Sequence, residues 1–320
     1  MKTGSDGRLK IAIIGAGISG LTAAYRLHRD FEIDVYEASH YAGGHTNTAE
    51  VRVNGQTHAI DTGFIVCNDR TYPNFLALLH ELGVAYEKSD MGFSVRVERT
   101  GLEYCGSSMS ALFAQRRNLL NPRFYRMLTD ILRFNRVATA SLQDQTGNIT
   151  LGEFLKAQRF SDMFVHYYII PMGAAIWSAL PEKMFEFPAS TFIRFFHNHG
   201  LLSVNNRPAW YFIKGGSRSY VEKLTAGFRE RIHLNSAVTQ IRRGAGKIEV
   251  TLQDGTRRSY DHAVIAVHSD QALAMLADPA EAERSVLGAI PYQENVAVLH
   301  TDERMLPRRR LARAAWNYHV

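Results

Sequence analysis

The stretch Ile11–Leu27, IAIIGAGISGLTAAYRL, decides the fold. Lys10–Ile14 is a short, continuous apolar run ended by glycine, which reads as a buried strand. Beyond Ser19, the residues Leu21, Ala24, Tyr25, Leu27 and His28 recur at helical spacing. Strand, glycine turn and helix in that order give Gly15-x-Gly17-x-x-Gly20 a mechanism. Gly15 permits the tight turn, Gly17 lets a pyrophosphate approach the backbone, and Gly20 lets the helix pack close to the strand. The helix opens at Ile18 and Ser19, and amides at such an end face phosphates.

A second signal follows. Phe31–Glu37, FEIDVYE, reads as another strand ending in an acid, with Ala38 directly after it. Glu37 lies 22 residues after Gly15, near the ~20-residue spacing of a carboxylate on the adenosine ribose. An acid here disfavours a 2′-phosphate, so NADP is not expected. Glycines and acid together predict a dinucleotide, either NAD or FAD.

The third signal is Tyr41–Thr48, YAGGHTNT. A simple NAD dehydrogenase runs on to its next helix and strand at this point. Here Gly43-Gly44 interrupts the chain, and Thr46 and Thr48 supply hydroxyls. A diglycine allows the backbone to pass close to a flat ligand or a phosphate. On these residues the chain resembles the flavin-containing amine oxidase and phytoene-desaturase superfamily. Its motif order is GxGxxG, an acid at the second strand, then a diglycine followed by a basic residue and Ser/Thr. The usual arginine after the diglycine is His45 here. Asp61-Thr62-Gly63 matches the superfamily's Asp-x-Gly segment, which passes near the flavin.

The later chain adds to the resemblance. Lys214 and Gly215-Gly216-Ser217 precede a helical pattern, Ile232–Ile241 reads as a strand, and Asp254-Gly255 marks a hairpin. Asp261–Val267, DHAVIAV, reads as a last buried strand. The resemblance makes Val238 the residue whose backbone pairs with the adenine and sets Ala266 beside the dinucleotide. Lys214 is the basic residue at this turn, either solvated or near the flavin. The implied fold is α/β: a Rossmann-like FAD-binding domain of the glutathione-reductase type with an inserted α+β substrate domain. The FAD-binding domain is expected over 1–70 and 206–280, and the substrate or cap domain over 71–205 and 281–320.

The resemblance implies an FAD-dependent oxidoreductase that takes a hydride from a small hydrophobic substrate or an amine. The nearest group is a set of bacterial flavoproteins, and long-chain acyl lipids are among the substrates it suggests. Alternatives are an NAD-linked dehydrogenase and a nucleotide-binding remnant without turnover. Superfamily members run on to a further flavin-facing segment, so the chain is expected to be C-terminally truncated relative to them. Cofactor contacts are therefore expected at Gly15, Gly17, Ile18, Ser19, Gly20, Glu37, Ala38, Gly43, Gly44, His45, Thr46, Asp61, Thr62, Gly63, Val238 and Ala266. No residue is singled out as catalytic.

The middle of the chain reads as helical. Helices are expected over 72–82, 110–119, 122–142, 151–158 and 161–170, with Pro171 breaking the last. Ile169–Pro188, with small residues beside Met172, Trp177 and Phe185, is either pocket lining or a packed corner. Arg123, Arg126, Asp130 and Arg133 fall on one face of the 122–142 helix. That face is either solvated or a peripheral contact with anionic lipid or an acidic substrate. Asn295–His300 reads as a strand.

Composition bounds the remainder. The chain has 320 residues, 46% hydrophobic and 21% charged, enough for a sizeable core and about two domains. The formal net charge is +6, but no zinc-finger or RNP-like motif accompanies it, so nucleic acid is not an expected partner. Cys67 and Cys105 are the two cysteines; their spacing suits neither a CxxC pair nor zinc, and free thiols in a reducing cytoplasm are expected. His197 and His199 form an HxH without a third ligand placed by spacing, so no metal is expected. The first ten residues have no apolar core of a signal peptide, and no apolar run is long enough to span a bilayer.

Overall fold

Strand β1 (Lys10–Ile14) lies inside a four-stranded, all-parallel sheet. Strand β2 (Glu32–Tyr36) pairs with one edge of β1, and the strand His262–Ile265 pairs with the other. The short strand Ile232–His233 extends the sheet beyond β2. Successive side chains of a strand point to opposite faces. Ile11 and Ile13 enter one core, with Leu21 and Ala24 of helix α1 (Ile18–Leu27) and with Tyr220, Val221 and Leu224. Ala12 and Ile14 enter another, with Val238, Ile241, Val250, Leu252 and Tyr260 of an antiparallel three-stranded sheet. Cover on both faces is why β1 is an unbroken apolar run.

The computed structural model describes residues 7–142, 149–203 and 207–320. The first six residues, within the stretch expected to lack a signal peptide, and the expected boundary at 205/206 lie outside the described residues. The described residues divide into two compact units: those within 1–66, 74–87 and 212–297 form the first, and those within 67–73, 88–211 and 298–320 the second. The helix α2 (Pro73–Glu81), expected in the substrate domain, therefore falls almost wholly in the first unit. Its Leu78 and Leu79 enter the same core as Ile11, and its Glu81 pairs with Arg26 of α1 at 2.6 Å.

The structure departs from the sequence expectation in three more places. Strand β3 (Thr48–Val53) and strand β4 (Gln56–Asp61) form an antiparallel hairpin that was not anticipated. Its turn, Asn54-Gly55, has both residues at positive φ, the requirement of a two-residue type I′ turn. The expected strand Ile232–Ile241 is two strands, broken at Asn235, whose φ is +51°. One half joins the parallel sheet and the other starts the antiparallel one. Asn295–His300 is irregular rather than a strand, with Val296 87% exposed. A strand is held by a hydrogen-bonded neighbour, and none pairs with this segment among the described residues.

The second unit is largely helical around an aromatic core of Phe124, Phe134, Phe154, Phe164, Phe192 and Phe196. A three-stranded sheet accompanies it: Trp316–His319 runs parallel to Phe93–Val97, which pairs antiparallel with Leu102–Cys105. Pro171 does not break its helix. A turn of π-helix, Val165–Ile169, precedes it, and the N–H of Ile170 bonds back to the carbonyl of Val165. Pro171 then lies in the first turn of Ile170–Trp177, where its missing N–H costs nothing. The 110–119 stretch is only a short helix, Met109–Leu112, followed by a 3₁₀ turn, Arg116–Leu120.

The Ile169–Pro188 stretch is a packed corner. Ile169, Ile170, Ala174 and Met184 are buried, and a side chain on Gly173 would meet Met184 at 2.8 Å and Phe192 at 2.9 Å. The basic face of the Pro122–Ser141 helix is only partly solvated. Asp130 is 2% exposed and accepts from Ser161 N at 2.9 Å and Arg133 at 3.0 Å. Arg133 also donates to Gln158 O at 2.7 Å and covers the Phe160 ring. These two residues tie the helix to the 158–161 turn.

Candidate functional site

The glycine turn and the start of α1 form an open cradle. Gly15, at φ +98°, could carry no side chain, because a Cβ would meet Ala266 O at 2.5 Å. A Cβ on Gly20 would lie 1.9 Å from Gly15 O. Both glycines are therefore demanded by turn, helix and the end of strand His262–Ile265 closing on one another. Ala266 sits at that closure, its N–H donating to Ile14 O at 2.8 Å. Gly17 is different. It has ordinary extended backbone, φ −74° and ψ −179°, and a Cβ there meets nothing within 4 Å.

Gly17 is also the N-cap of α1, and no side chain caps that end. There is no acidic residue in the first turn, and Ile18 and Ser19 are exposed. The first amides of a helix have no partner within the helix and carry the positive end of its dipole. The end of α1 thus offers backbone donors and partial positive charge to an anion, with clear space in front of Gly17.

Glu37 closes one side of the cradle. Its Oε2 accepts from Ala16 N at 2.8 Å and its Oε1 from Ser39 N at 2.9 Å. Each carboxylate oxygen can accept more than one bond, so the group holds both turns and keeps acceptor capacity for a ribose hydroxyl. Ala38, between them, is exposed. Asn235 N and Ser236 N donate to Ser39 O and Glu37 O at 2.9 and 2.8 Å. That pairing brings the start of the Val238–Gly244 strand to the Glu37 turn, with the Val238 side chain buried. Beneath it, Tyr260 donates to Asp34 at 2.8 Å and accepts from Tyr36, while His233 lies 2.7 Å from Asp34. Burial is the main reason the hydroxyls of Tyr36 and Tyr260 are held above their ordinary range.

The diglycine packs on the opposite side. Gly43 N donates to Ala16 O at 2.8 Å, and a Cβ on Gly44 would lie 3.0 Å from Gly17 Cα. Two stretches of backbone touch there. Asp61-Thr62-Gly63 then lies against His45 and Asn47: Thr62 N donates to Asn47 O, and a Cβ on Gly63 would meet His45 O at 2.2 Å.

Three side chains expected at the cofactor serve the scaffold. Both oxygens of Asp61 accept from Ser217, and its Oδ1 also accepts from Thr48 at 2.6 Å. Asp61 thus anchors the start of the helix Arg218–Thr225. The hydroxyl of Thr46 is buried against that of Tyr220, and that of Thr62 bonds Asn47. Lys214 pairs with Glu87 at 2.9 Å on the surface, which raises its pKa and leaves it no base.

Two neighbours of the site were missed in the sequence. The exposed ring of His45 stacks with His268, centroids 5.9 Å apart at 19°, and His268 stacks with Tyr292 at 4.5 Å and 9°. His268 stands just past the strand that ends beside Gly15, a position that could have flagged it. Tyr292 lies in irregular chain and carries no local signal.

Comparison with known proteins bears on the fold and the family. A sequence model described as flavin containing amine oxidoreductase matches residues 18–311. A cyclohexylamine oxidase from Brevibacterium oxydans IH-35A has a similar structure, with TM-score 0.68 at 19% identity. So do a putrescine oxidase bound to putrescine, with TM-score 0.64 at 18% identity, and a CLA-producing fatty acid isomerase from P. acnes, with TM-score 0.58 at 18% identity. In each case 88% of this chain is covered, and the chain spans 63% of the length of the other. No curated protein matches. With an α/β fold, an uncapped glycine cradle and a family match over most of its length, the chain belongs to the flavin containing amine oxidoreductase family.

Proposed function

We propose that the chain binds FAD in its first unit and is an FAD-dependent oxidoreductase acting on a hydrophobic or amine substrate. The observation that carries this reading is Gly17: neither its backbone nor its neighbours exclude a side chain, yet a side chain would stand in front of the bare α1 amides. A pyrophosphate is the group that such an end accepts. Glu37 is the acceptor for the adenosine ribose, and Ala16, Ser39 and Ser236 keep it in place. The Val238 backbone is the proposed adenine contact. His45, in place of the family's arginine, is the proposed side-chain contact to the phosphates or the flavin edge. Asp61, Thr46 and Thr62 act by holding the diglycine loop against the cradle. A flavin bound there supplies a hydride acceptor. The range of substrates follows the family and its structural neighbours: an amine, or a long-chain acyl compound.

The test is the spectrum of the purified chain after incubation with FAD. Yellow protein that bleaches anaerobically on addition of putrescine, cyclohexylamine or a long-chain acyl compound that it desaturates supports the proposal. Colourless protein that binds NADH instead overturns the FAD reading.

A further inference from the structure

The second unit holds a cleft of about 1460 Å³ that the nucleotide reading does not use. Arg99, Arg117, Arg123 and Arg126 all line it, with His166 beside them. Asp162 contributes the single side-chain carboxylate of the lining, and Val320, the last residue of this chain, lines it as well. Like charges gathered at one place repel unless an anion sits among them. Their partners leave most of the charge in place. Arg99 donates to the hydroxyl of Tyr167 at 3.1 Å, and Arg117 to the carbonyl of Gly101 at 3.3 Å. Neutral oxygens of this kind orient a guanidinium without cancelling it. The guanidinium of Arg123 has no partner among the described residues. Arg126 reaches Asp130 at 3.4 Å, a carboxylate already held by Arg133 and Ser161.

A second, independent observation marks the same cleft. Asn118 lines it and is 2% exposed, yet its side-chain Nδ2 has no hydrogen-bond partner among the described residues. Buried polar groups are nearly always paired, and each exception needs an explanation. An unpaired, buried amide donor in the wall of a cleft lined by four arginines is explained by an acceptor that arrives with the ligand. Asn121 also lines the cleft, but its side chain already caps the 20-residue helix Pro122–Ser141, accepting from the Arg123 and Phe124 amides, so that helix end adds no free donor to the site.

We propose that this cleft binds the phosphate group of a phosphorylated ligand. Guanidinium forks match the paired oxygens of a phosphate, and Asn118 supplies a further donor. Val97, Leu102 and Met163 lie on the same cleft and give it an apolar wall beside the charge. The phosphate therefore belongs either to a soluble organophosphate or to a phospholipid headgroup.

Two probes separate these sources: sn-glycerol 3-phosphate by calorimetric titration, and vesicles of phosphatidylglycerol against phosphatidylcholine by co-sedimentation. The full chain is used, alone and as the double variant Arg117→Gln/Arg123→Gln. Both arginines are exposed, so the variant keeps its fold, which a matching thermal melt verifies. Saturable binding in either arm, weakened at least tenfold in the double variant, supports the site and identifies the source. Asn118→Asp, which keeps the shape but replaces the donor by a charge of the wrong sign, is expected to abolish it. Flavin binding by both variants is expected to equal that of the parent chain. Absence of binding in both arms, or binding unchanged by the arginine substitutions, overturns the proposal.

Discussion

Gly17 and Gly20 belong to one motif, and the structure predicts opposite outcomes for the same substitution at each. In Gly20→Ala the new Cβ would lie 1.9 Å from Gly15 O and 3.3 Å from Ala266 Cβ. Helix and turn must part by about 1.1 Å to restore even a 3.0 Å contact. Forcing atoms into a closed contact of this kind costs about 1–3 kcal/mol, and because the obstacle is backbone the upper end is expected. In Gly17→Ala the backbone is already extended and the Cβ enters open space. The flavin-free protein should keep its stability or gain up to about 1 kcal/mol from a stiffer unfolded chain. The same methyl stands where the pyrophosphate is proposed to lie. There an overpacking cost of about 1–3 kcal/mol becomes a loss of affinity of about 5- to 150-fold. Urea unfolding of flavin-free protein, followed by circular dichroism, measures the first quantity. Quenching of flavin fluorescence measures the second. The reasoning fails if Gly17→Ala destabilises the flavin-free chain as much as Gly20→Ala does, or if it binds FAD like the parent.

Other outcomes follow from buried and bridging groups. Glu37→Gln leaves the Ala16 or Ser39 N–H facing an NH₂ instead of a carboxylate oxygen, and a lost bond to a charged group costs about 1.5–3 kcal/mol; urea midpoints of the flavin-free proteins should show it. Burial pushes the Asp130 carboxyl up, but its bonds from Ser161 and the Arg133 charge outweigh this and hold it below the ordinary 3.8. Its stabilisation is therefore complete above pH 3.8 and lost as the pH falls through the lower, folded value. Asp130→Ala should cost about 1–3 kcal/mol near neutral pH, with the urea midpoints of the two proteins converging on acidification. Burial pushes the Cys67 thiol up to about 11, and Cys105 is 0% exposed. Since the thiolate is the reactive form, neither should react with an aromatic disulfide reagent at mild alkaline pH until urea unfolds the chain. Fast labelling of the folded protein would show that the site around Cys67 opens.

The parts of the fold legible in the sequence are those that short-range rules control. The strand and helix on either side of Gly15–Gly20, and Glu37 at the end of β2, follow from apolar periodicity and from glycine at a turn. The β3–β4 hairpin escaped although Asn54-Gly55 is a strong turn signal, because its strands are exposed on most of their residues and lack a buried alternation. The second unit was legible as helices but not in its details. Pro171 reads as a breaker by local rules, and only the preceding π turn makes room for it. Asp130 and Arg133 look like a solvated stripe on a helical wheel, because the wheel cannot show that the 158–161 turn lands on them.

The same limit applies within the site, and it separates two kinds of motif residue. Gly15, Gly20, Gly43 and Gly63 are each refused a side chain by backbone oxygens of the protein itself, those of Ala266, Gly15, Thr46 and His45. Folding alone requires them, so their presence reports the Rossmann turn and its packed loops, with or without a ligand. Asp61, spent on Thr48 and Ser217, belongs with them. Gly17 and Glu37 remain. Glu37 serves the fold and still has acceptor capacity, so it reports on both. Gly17 has space around it, an ordinary backbone and an uncapped helix behind it. A glycine that the fold does not require is the position where the demand of a ligand shows most directly, so the case for a bound pyrophosphate rests on Gly17 more than on the rest of the motif.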